Sequence, residues 1–114
     1  MKKHDGERCI GAQDAIQDTL YVVGGKWKLV ILSVLMNEGK HRFGELAREA
    51  GISPRILSKE LQELEMNKLV SRKVCNTKPV TVEYSATPYA CTLKEVLDAM
   101  ISWGQAHRKK IRGK

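Results

Sequence analysis

The sequence has few aromatic residues and no long apolar run. Aromatic side chains make up 5% of its 114 residues, with a single phenylalanine. No apolar stretch approaches the roughly 20 residues that a membrane-spanning helix needs. Residues 4–8 are hydrophilic, so no apolar signal-peptide core follows Met1, Lys2 and Lys3. We therefore expect a cytoplasmic protein with no membrane partner.

The sequence also lacks the patterns of a disulfide framework, a metal site or an enzyme. Its three cysteines are an odd number and lie far apart, and a cytoplasmic compartment keeps thiols reduced. His4, His41 and His107 show no metal-ligand spacing. There is no phosphate-binding loop or nucleophile elbow, and Asp and Glu mostly stand beside Lys or Arg, where we expect solvated pairs. The sequence predicts no catalytic residue, no metal and no cofactor.

Acidic residues are outnumbered by basic ones. The chain has 13 Asp and Glu against 20 Lys and Arg, which gives a net charge of +7. This excess favours a polyanionic partner, and double-stranded DNA is the first candidate. The length suits one domain with a modest core, which we assign to residues 1–114. Residues 1–8 and 108–114 are interpreted as flexible basic tails, because terminal basic residues are commonly solvated.

Residues 42–58 predict a helix, a tight turn and a second helix. Gly51 can adopt the left-handed conformation that a helix end requires. Ser53 is a helix N-cap, and Pro54 suits the first helical position. The second helix carries an apolar stripe at helical spacing, formed by Leu57, Leu61 and Leu64. This pattern is typical of a helix-turn-helix whose second helix enters the DNA major groove.

Residues outside the leucine stripe are the predicted DNA contacts of this second helix. They are Ser53, Pro54, Arg55, Ser58, Lys59 and Gln62. Arg55 is the best candidate for a base contact, because its planar guanidinium can bind a guanine edge with two hydrogen bonds. A phosphate contact for Arg55 is equally compatible with the sequence. Ser53 could act as a cap alone, and Lys59 suits a phosphate better than a base.

A β-hairpin is predicted directly after this helix. Residues 68–75 and 80–85 are rich in β-formers, and residues 76–79 have the composition of a turn. We interpret the hairpin as a wing along the phosphate backbone or in the minor groove, with residues 41–43 as a candidate third strand. Basic residues predicted to act on phosphates here and at the edges of the site are Arg72, Lys73, Lys78, Arg42 and Lys26. An ordinary helix pair joined by a glycine turn would explain the turn, but not the wing and the charge.

Three further helices complete the predicted fold. Helix 12–23 carries one apolar face, and helix 26–37 is expected at the centre of the core. The apolar stripe of helix 26–37 is formed by Trp27, Val30, Ile31, Val34 and Leu35. A long helix is predicted from Thr87 and Pro88 to about residue 111. Its wide apolar face is formed by Leu93, Val96, Leu97, Met100, Ile101, Trp103 and Gly104.

The apolar faces of the first and last predicted helices require burial against another protein surface. A dimer surface is favoured because DNA half-sites usually occur in symmetric pairs, and completion of the monomer core is the alternative. The predicted fold is therefore mainly α (α+β). It is a winged helix-turn-helix domain with a two- to three-stranded wing, which dimerises through its N- and C-terminal helices.

Short motifs follow one another in a fixed order between Cys9 and Gly104. They are GGKW (24–27), IL (31–32), RFGEL (42–46), GIS (51–53), LS (57–58), LQELE (61–65), LVSR (69–72), PVTVEYS (79–85) and WG (103–104). The ordered set resembles the HxlR-type winged helix-turn-helix transcriptional regulators, relatives of the MarR group. This resemblance implies a homodimer, built from its first and last helices, that binds operator DNA and represses or activates nearby genes.

Cys9 stands where many members of this family carry a cysteine. In several of them the thiol reacts with oxidants or electrophiles and changes DNA affinity. Arg8 and the helix that follows would raise the reactive thiolate fraction of Cys9. The chain departs from the family pattern at Ile10, where proline is usual, and at Ala90, where glycine is usual.

The other two cysteines, Cys75 and Cys91, are interpreted as small core residues. A disulfide between Cys9 and Cys91 of the partner subunit remains open, because only geometry can decide it.

Three hypotheses remain. The first is a regulator that senses oxidants or electrophiles through Cys9. The second is the same regulator with a non-covalent small-molecule effector or a constitutive mode. The third is a winged-helix protein-interaction module without DNA binding, whose binding would ignore salt and an Arg55→Ala change. The net charge and the basic residues on the second helix favour a regulator.

Overall fold

Residues 2–113 form five α-helices that pack with a small antiparallel sheet. A computed structural model describes the backbone of residues 2–113 and the side chains of residues 11–113. The elements in chain order are α1 (Lys2–Val23), α2 (Lys28–Glu38), β1 (His41–Arg42), α3 (Phe43–Ala50), α4 (Pro54–Met66), β2 (Val70–Cys75), β3 (Thr81–Ala86), a 3₁₀ turn (Ala90–Leu93) and α5 (Lys94–Arg112). The winged helix-turn-helix prediction is confirmed, with α3 and α4 as the two helices and β2 and β3 as the wing.

The turn between α3 and α4 has the predicted local chemistry. Gly51 ends α3 with φ 69° and ψ 37°, in the left-handed region that favours glycine. The Ile52 N–H donates to the Ala47 carbonyl at 3.0 Å, which closes the end of α3. Ser53 Oγ accepts a hydrogen bond from the Ile56 N–H at 3.3 Å, and Pro54 occupies the first helical position. The direction of α4 is therefore set by local contacts within a few residues.

The core lies between α2, α3, α4 and the start of the wing. Its fully buried large side chains are Ile31, Leu32, Leu46, Leu57, Leu61, Leu64 and Leu69. The stripe predicted on α2 is partly wrong, because Val30 is 41% exposed whereas Leu32 is fully buried. The inward face of α2 is instead centred on Lys28, Ile31, Leu32 and Leu35. Lys28 lies in phase with these apolar residues, so the inward face of α2 includes a charged residue that a stripe based on hydrophobicity alone omits.

The sheet has the strand order β1-β3-β2. β2 and β3 are antiparallel neighbours, with Arg72 opposite Tyr84 and Lys73 opposite Glu83. β1 pairs with the other side of β3 and places His41 opposite Tyr84 and Arg42 opposite Glu83. The predicted third strand is thus present, and β2 is an outer strand of the sheet.

The two terminal helices differ in extent from the prediction. α1 begins at Lys2, ten residues before the predicted start, and α5 continues through Arg112, so most of each predicted tail is helical. The predicted last helix is divided, since a 3₁₀ turn precedes α5. The Thr87 hydroxyl accepts from the Ala90 N–H at 3.1 Å and donates to the Lys68 carbonyl at 2.7 Å. Thr87 therefore caps the 3₁₀ turn and ties it to the base of the wing.

Apolar side chains of α1 and α5 project into solvent. Leu97 is 7% exposed, but the neighbouring apolar residues of α5 are open. The exposed residues on the two helices are Ile16, Leu20, Tyr21, Val96, Met100, Ile101, Trp103 and Ile111. The radius of gyration is 17.2 Å, whereas a compact domain of this length has about 13 Å. The core of one chain therefore covers little of the apolar face of α5.

No single helix in the described part of the chain is both long and apolar enough to cross a membrane. Residues 11–23 of α1 and all of α2 meet that criterion only together, as a pair bent by 73°. α2 buries Ile31, Leu32 and Leu35 in the core of the domain. Gly24 allows the sharp bend between the two helices, because a Cβ at this position would overlap the Leu20 carbonyl oxygen.

Candidate nucleic-acid interface

α4 presents a polar face opposite its buried leucines. An α-helix turns by about 100° per residue, so Arg55, Lys59 and Gln62 lie on the side away from Leu57, Leu61 and Leu64. All six predicted DNA contacts of this helix, Ser53, Pro54, Arg55, Ser58, Lys59 and Gln62, are exposed. Each of these side chains is therefore accessible to a partner in front of α4.

A groove between α4 and the wing brings together residues that are distant in sequence. It is lined by Ser58, Leu61, Gln62, Glu65, Arg72 and Tyr84. Arg72 reaches it because directly opposed residues of antiparallel strands share a face of the sheet, and Arg72 opposes the buried Tyr84. Three predicted site residues, Ser58, Gln62 and Arg72, thus form one polar surface. Glu65 was not predicted, although its place one turn after Leu61 on the same flank as Ser58 could have indicated it.

Lys73 lies on the opposite face of the wing from Arg72, because successive strand residues alternate. There it opposes Glu83, which is also opposite Arg42 on β1. Lys40 Nζ lies 3.6 Å from Glu83 Oε1 and forms an ion pair with this carboxylate. The structure therefore places Lys73 away from the groove, and both Lys73 and Arg42 are register partners of Glu83.

Lys78 is exposed in the loop that joins the two wing strands. The Thr77 hydroxyl donates to the Pro79 carbonyl at 2.7 Å and lies 3.3 Å from the Thr81 hydroxyl, so the loop is braced across its base. Lys26 has a different setting, on the connection before α2. Its Nζ lies 4.9 Å from the centre of the Trp27 ring, within the range of a cation–π contact.

A partly buried ion network on one flank of α4 was not predicted. Lys28 Nζ lies 2.6 Å from Glu60 Oε1 and 2.6 Å from Glu63 Oε1. Lys59 Nζ lies 3.8 Å from the other oxygen of Glu63. The expectation that these glutamates are solvated pairs is wrong for Glu60, whose side chain is 14% exposed. The available signal in the sequence was Lys28 in phase with Ile31, Leu32 and Leu35, together with two glutamates on one flank of the leucine stripe of α4.

The network shifts the pKa values of Lys28 and Glu63. Desolvation is the largest influence on Lys28 and lowers its pKa, but the hydrogen bonds and charges of Glu60 and Glu63 together outweigh it and raise the pKa. The hydrogen bond from Lys28, followed by its charge, holds the pKa of Glu63 below the usual range. Lys28 and Glu63 are therefore both ionised at neutral pH.

The cysteines occupy different environments. Cys75 is half-buried, as a small packed residue would be, but Cys91 is exposed and is not a core residue. In the 3₁₀ turn the inward position belongs to Ala90, which is fully buried. Cys9 and Ile10 lie in α1, outside the residues whose side chains the structure describes. Within the described part of the chain, no group of three His, Cys, Asp or Glu residues could hold a metal ion.

Known proteins share this architecture. Residues 22–112 match the HxlR-like helix-turn-helix family. The HTH-type transcriptional regulator YtcD of Bacillus subtilis is 39% identical over 100 residues, which cover 87% of this chain and 79% of YtcD. The redox regulator HypR in its reduced form superposes with a TM-score of 0.79 at 36% identity, over 88% of this chain and 99% of HypR. The reduced form of the transcriptional regulator YodB from B. subtilis superposes with a TM-score of 0.70 at 33% identity, over 78% of this chain and 87% of YodB.

Structures of HypR in its oxidized form and of YodB after diamide treatment resemble the chain as well. The matched proteins are transcriptional regulators rather than enzymes. The chain accordingly belongs to the HxlR-like helix-turn-helix family of transcriptional regulators.

Proposed function

We propose that the protein is a homodimeric regulator that binds a pseudo-palindromic DNA operator in a sequence-specific manner. The observation that carries this proposal is the groove in which Ser58 and Gln62 of α4 meet Arg72 of the wing. Such a surface allows α4 to enter the major groove while the wing reaches the adjacent backbone. The family membership of the chain supports DNA as the partner.

The proposed contacts divide into base readers and phosphate binders. Arg55, Ser58 and Gln62 face outward on α4 and can reach base edges, with Arg55 the leading candidate for guanine. Ser53 and Pro54 start the helix, and their backbone approaches a phosphate. Residues proposed to act through charge on phosphates are Lys59, Arg72, Lys73, Lys78, Arg42 and Lys26.

The homodimer is proposed to form through α1 and α5. The apolar side chains of Val96, Met100 and Trp103 are 42%, 50% and 68% exposed. They line a shallow apolar depression on α5 together with Ala99 and Glu95. A second copy of the chain would cover this face, and its two-fold symmetry would match two half-sites of an operator.

Sensing of oxidants or electrophiles through Cys9 is the proposed control of DNA affinity. HypR is named as a redox regulator, and YodB was examined after diamide treatment. Arg8 next to Cys9 would raise the fraction of reactive thiolate. A non-covalent effector on the same scaffold is the second candidate.

The test is the binding of the purified protein to the DNA upstream of its own coding region. Fluorescence anisotropy at two salt concentrations, with and without diamide, measures affinity and its dependence on salt and oxidant. Tight binding that weakens steeply with salt supports the regulator, and a change with diamide supports thiol sensing. Salt-sensitive binding that diamide leaves unchanged favours the non-covalent effector.

A matched pair of variants completes this experiment. Arg55→Ala should weaken binding, whereas Lys94→Ala removes the same charge from α5 and should not. If binding is insensitive to salt and to Arg55→Ala, the protein is an interaction module and the proposal is wrong.

A further inference from the structure

The ion network on the flank of α4 joins a buried cation to the recognition helix. Lys28 is 7% exposed and is the one charged residue in the buried class among the described side chains. Burying a charge is costly, and apolar replacements of buried ion pairs are often equally stable. Stability alone therefore does not explain a lysine at this position.

The recognition helix carries three carboxylates close to the proposed DNA surface. Glu60, Glu63 and Glu65 all lie on α4, a helix that has to approach a polyanion. Lys28 Nζ contacts one carboxylate oxygen of Glu60 and one of Glu63, each at 2.6 Å. One ammonium thus offsets part of a charge that would otherwise repel phosphates.

Glu63 contacts two lysines, of which one is buried and the other is exposed. Its Oε1 contacts the buried Lys28 at 2.6 Å, and its Oε2 lies 3.8 Å from Lys59. The Lys59 side chain is 71% exposed, and its contact with Glu63 is the longer of the two. The short contact draws the carboxylate towards α2 and leaves Lys59 only loosely held.

We infer that Lys28 is a positioning residue for DNA binding: it holds Glu63 against α2, so that the Lys59 ammonium, 3.8 Å from Glu63, is paired weakly enough to move to a phosphate. This inference rests on the proposed function, because it concerns how the same recognition helix binds DNA. Without Lys28, Glu63 pairs more closely with Lys59, one helical turn away. Lys59 then has to break a shorter contact with a carboxylate before it can reach a phosphate.

The test compares salt dependence in a set of variants on the same upstream DNA duplex. Lys28→Met should lower affinity by roughly fivefold to tenfold and reduce the slope of log affinity against log salt by about one unit. Adding Glu63→Gln to this variant should restore the slope, since Lys59 no longer has a carboxylate partner. Lys94→Met is the charge-matched control on α5 and should leave the slope unchanged.

A purely structural role for Lys28 predicts a different result. Lys28→Met would then lower the melting temperature, but the folded variant would keep the wild-type slope, and this outcome overturns the inference. Failure of the proposed function is distinct, because the wild type itself would then show no salt-sensitive binding.

A second comparison applies if Lys28→Met does not fold. Lys59→Ala should reduce the salt slope equally in the wild type and in Glu63→Gln, because Lys28 already keeps the contact between Glu63 and Lys59 weak. A reduction that appears only in the Glu63→Gln background would show that Glu63 holds Lys59 despite Lys28, and the inference would be wrong.

Discussion

Lys28 and Glu60 are separated by 32 positions in the chain, yet their side chains meet at 2.6 Å. The contact joins α2, the central helix of the core, to α4, the proposed recognition helix. Leucine packing alone would allow α4 some rotation about its axis, whereas a hydrogen-bonded ion pair has a defined direction. The polar face of α4 is therefore oriented by its core-side neighbours as well as by its own sequence.

The stabilising effect of this network should depend on pH. Because the pKa of Glu63 is lowered on folding from its ordinary value of 4.5, this group stabilises the protein above that value and loses the effect as pH falls through the folded pKa. The pKa of Lys28 is raised from its ordinary value of 10.5, so its contribution is complete below that value and is lost as pH rises through the folded pKa. Urea unfolding of the wild type and Glu63→Gln should differ most between these limits. A difference that stays constant down to pH 3 would contradict the prediction for Glu63.

Gly51→Ala should destabilise the protein by about 1 to 2 kcal/mol, the usual cost of the left-handed conformation for a residue with a Cβ. No atom outside the adjoining residues lies within 4 Å of a Cβ built at Gly51, so the cost comes from its φ of 69° and not from a clash. Gly44→Ala is the matched control, since Gly44 is helical and a Cβ there would meet only the Arg48 side chain at 3.7 Å. Thermal unfolding of both variants measures the difference. Equal melting temperatures would disprove the strain at Gly51.

Arg55→Ala should weaken operator binding by about 1 to 3 kcal/mol and relax the preference for one base pair. Arg55→Lys separates the two candidate roles, because lysine can replace a phosphate contact but not a bidentate guanine contact. Binding to a set of duplexes with single base-pair changes measures this preference. If Arg55→Lys keeps the full preference, Arg55 contacts a phosphate.

Met100→Glu should convert the proposed dimer into a monomer. It places a charge on the exposed apolar face of α5, where Met100 is 50% exposed, and burying an unpaired charge in an interface is strongly unfavourable. Sedimentation velocity of the wild type and the variant measures the change in mass. Val80→Glu, at an exposed valine of the wing loop, is the control and should sediment as the wild type does. A Met100→Glu variant that is still dimeric would exclude this face from the interface.

Cys9→Ser should remove the effect of diamide on DNA binding and leave affinity under reducing conditions unchanged. Cys75→Ser and Cys91→Ser are the controls and should keep the response. Anisotropy titrations of all three variants, each with and without diamide, provide the test. A full response in Cys9→Ser would assign the sensing to another group, and the exposed Cys91 would then be examined first.

The helix-turn-helix could be predicted because its determinants are local. Gly51, Ser53 and Pro54 act within one turn of the chain, and the leucines of α4 follow a simple period. The wing and its third strand could also be predicted, because β-rich segments flank an evident turn. Local chemistry therefore accounts for most of the fold.

Features that depend on tertiary contacts could not be predicted from local sequence patterns. The burial of Lys28 requires two glutamates from another helix, so hydrophobicity placed the inward face of α2 on Val30 instead of Leu32. Arg72 and Lys73 are adjacent in sequence, but their separation onto two faces follows only from the register with β3. The 3₁₀ turn before α5 is capped by the Thr87 hydroxyl, which also bonds to Lys68, 19 residues away.

Because β2 is an outer strand of the sheet, its cationic side chains have a second effect. An unpaired strand edge can template the addition of further strands, and natural proteins protect such edges with charged side chains. Arg72 and Lys73 stand in the middle of this edge, next to the exposed Val74. The residues proposed to hold DNA thus also protect the protein from aggregation. Apolar substitutions there would cost solubility as well as DNA affinity.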